Sequence, residues 1–249
     1  MNQPNNNHRI YGINNCVTFL ESKNSFTINS IFVCQGSVAA KNEKLKLLLT
    51  KNNKSVANLD NQIFNKRFSF KHNQGIVLEF RGKIDKNIED LLIDDKDCCL
   101  VIADQIKDPQ NLGQMLRTIE CAGVDGIILP RHNSVHVTDT VLQVSQGAFL
   151  YTDICIENNL VNTIKLLQSN GYWIVGLENS IEAKKWFEID YKGKIAIVLG
   201  SEGKGIRKLV KESCDFLATI PMRGNINSLN VTAALSAILF ERNRQLSND

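Results

Sequence analysis

The residues of this chain able to do chemistry sit in three polar, glycine-bearing stretches, each directly after a short apolar run. The first is Asp108-Pro-Gln-Asn111-Leu-Gly113-Gln-Met-Leu-Arg117-Thr118. Pro109 suits the first turn of a helix, and a helix N-terminus with an arginine about a turn further on can bind phosphate. Taken alone, Arg117 reads better as a surface arginine on an ordinary helix. The second is Leu199-Gly200-Ser-Glu202-Gly203-Lys-Gly205-Ile206. Such glycine density marks a backbone that approaches a ligand closely. The frame is not a Walker A loop, because Gly203-Lys204 is followed by Gly205; it is neither G-x-G-x-x-G nor the G-x-S-x-G of a nucleophile elbow. Glu202 is an acid held among glycines, and a ligand contact and a solvated loop acid explain it equally. The third runs Ile220-Pro-Met222-Arg223-Gly-Asn225-Ile-Asn-Ser228-Leu229-Asn230, then enters a run of helical spacing from Val231 to Phe240. Arg223, Asn225, Ser228 and Asn230 place donors and acceptors around one turn. No Cys–His or Ser–His–Asp set accompanies them. His132 and His136 are four apart but follow Pro130 with no helical pattern, so no metal site is expected.

These stretches need a frame. Short apolar runs over 98–103, 125–129, 152–156, 172–177, 195–199 and 216–220 alternate with helical spacing over 111–121, 138–146, 158–170, 204–213 and 230–245. Continuous apolar strands between helices predict a parallel sheet buried on both faces. Upstream, helical spacing over 10–20, 41–51 and 60–66, the last opened by a capping Asp60, alternates with strand signals over 28–33, 55–57 and 75–80. That predicts a small α/β or α+β unit. The expected division is a disordered tail over 1–8, a first domain over 9–81, a charge-dense linker over 82–97 and a second domain over 98–249.

Composition bounds the rest. With 43% hydrophobic and 22% charged residues the chain reads as a globular protein. No apolar run reaches the roughly 18–20 residues of a membrane span, and the opening MNQPNNNHR lacks the apolar core of a secretory leader. The seven scattered cysteines contain no C-x-x-C, which predicts small buried hydrophobes in a reducing, cytoplasmic compartment and no zinc. The net charge of +3 permits an anionic partner such as RNA without requiring one.

Together, DPQNLGQMLRT, IVLGSEGKGI and IPMRGNINSLNVTAALS resemble, in order and spacing, the three motifs of the SpoU (TrmH-type) RNA 2′-O-ribose methyltransferases of the SPOUT superfamily. Ser145-Gln-Gly-Ala148 resembles the segment between the first two. Arg9-Ile-Tyr-Gly-Ile13 and His72-Asn-Gln-Gly-Ile76 resemble the family's L30e-like RNA-binding extension, nearest to the bacterial 23S rRNA guanosine 2′-O-methyltransferase (RlmB) type, with Asn73 where relatives often carry His. The resemblance implies an α/β fold: a parallel-sheet methyltransferase domain tied in a trefoil knot, after a small L30e-like α/β domain. It implies S-adenosylmethionine as cofactor, held near Leu199, Gly200, Gly205, Ile220, Met222 and Leu229. It implies catalytic roles for Asn111, Arg117, Glu202, Ser228 and Asn230, phosphate contacts from Arg9, Lys66, Arg67, Lys71 and Arg223, and a homodimer with catalytic side chains meeting near the subunit boundary. The expected activity is 2′-O-methylation of a guanosine in 23S rRNA. A tRNA substrate, or a non-catalytic RNA-binding role in ribosome assembly on the same fold, stays open. A Rossmann nucleotide enzyme is disfavoured, because the glycine-rich loop comes late in the chain.

Overall fold

The apolar runs and helical stretches fold into two units, residues 1–84 with 137–150 and residues 85–136 with 151–249. A computed structural model describes residues 7–52, 55–94, 96–180, 183–201 and 203–247. Of the expected tail, residues 1–6 lie outside the described residues, and Asn7 and His8 already belong to a strand.

The first unit strings together β1 (Asn7–Tyr11), α1 (Ile13–Glu21), β2 (Thr27–Cys34), α2 (Val38–Lys41), α3 (Glu43–Lys51), β3 (Val56–Leu59), α4 (Asn61–Arg67) and β4 (Ile76–Arg81). Its sheet runs β1-β4-β2-β3, with only the β2–β3 pair parallel. Ser37, Asn42 and Asp60 cap α2, α3 and α4 by accepting backbone N–H bonds, as short polar side chains at helix starts do. The helical spacing read over 10–20 is corrected. Gly12, at φ 83°, turns the chain, so Ile10 is buried in a strand and the helix starts at Ile13.

The second unit holds β5 (Asp85–Lys86), β6 (Cys99–Ala103), α5 (Pro109–Cys121), β7 (Gly126–Pro130), β8 (Asp153–Glu157), α7 (Leu160–Ser169), β9 (Trp173–Leu177), β10 (Lys184–Lys185), β11 (Ile195–Leu199), α8 (Lys208–Lys211), β12 (Phe216–Thr219) and α9 (Val231–Leu246). The sheet order is β10-β12-β9-β11-β6-β7-β8-β5, and its strand pairs are parallel. Every residue of β6, β7 and β11 is buried, as their uninterrupted apolar sequences require. The chain walks outward from β6 through β7 to β8, then returns to β9 on the far side of β11. The loops after β6 and β11 therefore diverge at a switch point, where a parallel sheet opens a crevice at its carboxyl ends.

Three expectations change. Residues 82–97 are not a free linker: β5 pairs with β8, and Ile88 and Leu91 are buried in the core of the second unit. The helix expected over 204–213 shrinks to α8, because the glycine-rich loop continues to Ile206. The stretch 137–150, expected in the second domain, packs with the first unit through α6 (Asp139–Val144). There α6 closes the free edge of β1. The Gln143 side-chain amide accepts from Tyr11 N–H and donates to Tyr11 C=O, both at 2.9 Å, and Asp139 accepts Arg9 N–H at 3.1 Å. These bonds answer part of the strand's outer backbone, which leaves less of that edge open to another chain.

The cysteines mostly behave as buried hydrophobes. Cys16, Cys34, Cys98, Cys99 and Cys155 are buried, and desolvation pushes the Cys99 and Cys155 thiols up to about 12. Cys121 departs from that pattern and is exposed, and Cys214 is half-buried.

Candidate active site

Three neighbouring strands, β12, β9 and β11, end side by side, and a cavity of about 590 Å³ opens above their carboxyl ends. Its floor is the glycine-rich loop. Ser201 and Gly205 exchange backbone N–H···O=C bonds of 3.1 and 2.9 Å, which folds the loop back on itself. A Cβ at Gly200 would lie 2.0 Å from the carbonyl carbon of Gly205, so no side chain fits there. Gly203 and Gly205 take φ of 80° and 67°, values that favour glycine.

Two acids outside the loop fix its exit. Asp104, fully buried after β6, accepts from Arg207 Nε at 2.8 Å, Nη2 at 2.7 Å and backbone N–H at 2.9 Å. Its own N–H donates to Leu199 C=O at 2.7 Å, tying β6 to the end of β11. Glu178, after β9, lines the cavity and accepts Ile206 N–H at 3.4 Å.

The opposite wall is the turn before α9. Asn230 caps that helix, its Oδ1 accepting Thr232 N–H at 2.9 Å, while its Nδ2 donates to Asn111 Oδ1 at 3.0 Å. Asn111 is buried in the first turn of α5, which Asp108 caps through Gln110 N–H and Pro109 opens. The first and third polar stretches, more than a hundred residues apart, thus meet at one amide–amide bond.

Family models place this architecture. One described as the SpoU rRNA methylase family matches residues 99–240, and one described as RNA 2′-O ribose methyltransferase substrate binding matches residues 9–84. The chain belongs to the SpoU rRNA methylase family. Among curated SpoU relatives, the 23S rRNA (guanosine-2′-O-)-methyltransferase RlmB of Shewanella oneidensis is 42% identical over 175 residues, 69% of this chain and 71% of that protein. RlmB of Coxiella burnetii is 49% identical over 59% of this chain and 58% of its own length. A Staphylococcus saprophyticus protein named for the TrmH family of tRNA/rRNA methyltransferases is 46% identical over 59% of each chain. The matched stretch is thus under two thirds of the length of these last two. Among solved structures, the AdoMet complex of the SpoU methyltransferase AviRb from Streptomyces viridochromogenes has a TM-score of 0.83 at 17% identity, covering 98% of this chain and 92% of that one, which shows the fold.

Within this SpoU fold the sequence-derived residues fall into three groups. Leu199, Gly200, Gly205, Ile220, Met222 and Leu229 all line the cavity, together with Ser228 and Asn230. Asn111 joins them through Asn230. Arg117 does not: it is exposed and absent from the cavity wall. Six residues advance a helix by about 240° beyond full turns, so Arg117 leaves a different face of α5 from Asn111. Glu202 lies outside the described residues.

Of the basic residues, Lys66, Arg67 and Lys71 are exposed around the end of α4, whereas Arg223 is exposed in the turn before α9. Arg9 is half-buried and donates from Nε and Nη2 to Glu79 Oε1, at 3.1 and 2.7 Å, so its charge is already answered. Sequence reasoning missed Asp104, Glu178 and Arg207. Asp104 and Glu178 each follow a parallel strand's carboxyl end, where ligand loops begin, but an acid there looks like any strand ending in solvent; Arg207, at the start of α8, carried no such signal.

No helix among the described residues is long and apolar enough to cross a membrane. No group of three or more His, Cys, Asp or Glu among them could hold a metal ion.

Proposed function

We propose that this chain transfers a methyl group to a ribose 2′-hydroxyl of RNA, a guanosine of 23S rRNA in the first instance, with S-adenosylmethionine as donor. The Asn111–Asn230 bond carries the reading, because it brings the first and third SpoU motifs to the rim of one cavity. The RlmB names of the Shewanella and Coxiella relatives support the rRNA substrate. Action on rRNA would place the protein in the cytoplasm.

The cavity fits the cofactor. Its volume is in the range of small-molecule sites, and Leu199, Ile220 and Leu229 offer apolar surface to an adenine. Where a Cβ at Gly200 would collide, bare backbone can instead approach a ligand. When bound, the sulfonium of S-adenosylmethionine supplies an already activated methyl group. What remains for the protein is orientation, which can contribute up to roughly 7–11 kcal/mol, and removal of the hydroxyl proton. Asn111 and Asn230, each fixing the other, orient the ribose, and Ser228 stands beside them on the wall. Arg117 clamps the phosphate flanking the target and lowers the hydroxyl's pKa by its charge, and the proton leaves to phosphate or water. A guanidinium stays charged at any working pH, so it is a poor proton acceptor itself.

Because Arg117 lies off the cavity of its own chain, we assign it to the cavity of a second copy, which makes the homodimer part of the proposal. The trefoil knot belongs to it too. The bonds from α9 back to Asp97, Ala122 and Ile189 support a helix held among earlier segments of the chain.

Incubating the full chain with labelled S-adenosylmethionine and unmodified 23S rRNA, then mapping linkages that resist alkaline cleavage, tests the reading. One resistant linkage at a guanosine is expected. Cofactor binding by calorimetry without transfer to rRNA or tRNA would leave only the non-catalytic assembly role.

A further inference from the structure

One feature of the first unit is not used by the transfer step: a file of alternating cations and rings at its surface. The Arg67 guanidinium carbon lies 4.1 Å from the Phe32 ring centroid and 5.2 Å from that of Phe68. That of Arg9 lies 5.7 Å from Phe68 and 5.5 Å from Phe70. Phe70 stacks on Tyr11 at 5.0 Å and 14°. The inner members, Phe32 and Phe68, are buried. The outer members are not: Arg67 is exposed, and Phe70 and Tyr11 keep part of their rings in solvent.

The chain beside this file is held in an unusual shape. His72 and Gln74 both take left-handed φ, 64° and 54°, a backbone shape that side-chain-bearing residues rarely adopt. Asn73 between them holds the turn, donating to the carbonyls of Phe68 and Phe70 and accepting from Gly75 N–H. Gln74 Oε1 accepts Ile13 N–H at 2.8 Å. The result is a braced loop that presents Lys71 and His72 outward next to Phe70.

Charge decides the occupant. Arg9 is answered by Glu79, but Lys66, Arg67 and Lys71 have no carboxylate partner among the described residues. Three uncompensated cations around half-open aromatic rings suit a polyanion that carries flat, apolar faces. Base-paired RNA hides those faces in its stack, while a single strand can splay them onto a ring or a guanidinium plane.

We propose that the two open ends of this file, Arg67 at one and the stacked Phe70–Tyr11 pair at the other, are stacking surfaces for unpaired bases of single-stranded RNA, with Lys66 and Lys71 holding phosphates beside them. Arg9, half-buried and held by Glu79, sits between Phe68 and Phe70. This deepens the methyltransferase reading and rests on it: the substrate would be recognised at an unpaired segment as well as at the methylated ribose.

The test compares the full chain with Phe70→Leu, which keeps apolar bulk and removes the π face. The probes are a short single-stranded RNA of mixed sequence and the blunt duplex formed from it, titrated at several salt concentrations. Phe70→Leu is expected to weaken single-strand binding about tenfold. It should leave duplex binding, the salt slope and the S-adenosylmethionine Kd unchanged. Lys71→Gln is expected to reduce the salt slope by roughly one on both RNAs. Should Phe70→Leu lower the melting temperature, Arg67→Lys, which keeps the charge and loses the guanidinium plane, carries the same test. Unaltered single-strand affinity in these variants, an equal loss on both RNAs, or a wild-type chain that binds neither RNA would overturn the proposal. Failure of the underlying reading shows separately, as a wild-type chain that binds no S-adenosylmethionine.

Discussion

Asn230 does two jobs with one amide. Its oxygen caps α9 and its nitrogen holds Asn111. The two can be separated, because a carboxylate caps a helix as well as an amide does but cannot donate. Asn230→Asp should therefore keep the melting temperature within a degree or two of wild type. Methyl transfer to 23S rRNA should fall about tenfold or more, the scale of leaving the buried Asn111 amide without this partner. A variant that transfers normally would remove the Asn111–Asn230 pair from the chemistry. At this scale the sequence was informative where residue type and backbone need coincide. Gly200 and Gly205, Ser228 and Asn230 stand out because few other residues serve in those turns. Glu178 and Asp104 did not stand out, since an acid after an apolar run looks like any strand ending in solvent. Only the fold reveals Asp104 as fully buried with three bonds from Arg207.

Asp104 also matters for what it connects. It sits at the end of β6, bonds β11 through Leu199, and grips the residue that opens α8. Asp104→Ala should lower the unfolding free energy by about 2 kcal/mol, moderated because Arg207 is partly in solvent. The S-adenosylmethionine Kd should rise more than stability alone explains, because the glycine-rich loop loses its anchor. Denaturant titration and calorimetry on the same samples check both, and an unchanged Kd would mean that the loop holds its shape unaided. The longer strands were legible because each is a continuous apolar run buried on both faces. The two-residue strands β5 and β10 were not, since Asp85–Lys86 and Lys184–Lys185 carry no apolar signal and exist only by pairing with β8 and β12. The shortness of α8 was equally hidden, because Arg207 leaves the helical pattern to serve Asp104.

For the whole molecule, the proposed homodimer rests on the position of Arg117, exposed and off the cavity wall of its own chain. A site built from two copies makes a distinctive prediction. Arg117→Ala and Asn230→Ala should each be inactive alone, yet co-refolded in equal amounts they should regain about a quarter of wild-type activity, because mixed dimers carry one intact site. No recovery would confine the chemistry to one chain. The membership of 137–150 in the first unit was illegible for a related reason. An amide pairing with the backbone of a strand 132 residues earlier needs no apolar pattern, so nothing in the local sequence marks it. The order of the parts along the chain has its own consequence. Leu229, Val231 and Ala234 belong to the wall of the cavity, and α9 is anchored behind them by Arg242, Asn243 and Gln245. During translation the whole parallel sheet emerges before this helix does. A nascent chain arrested ahead of α9 would expose the glycine-rich loop with nothing opposite it, so the proposed methyl-donor cavity is completed only late in synthesis.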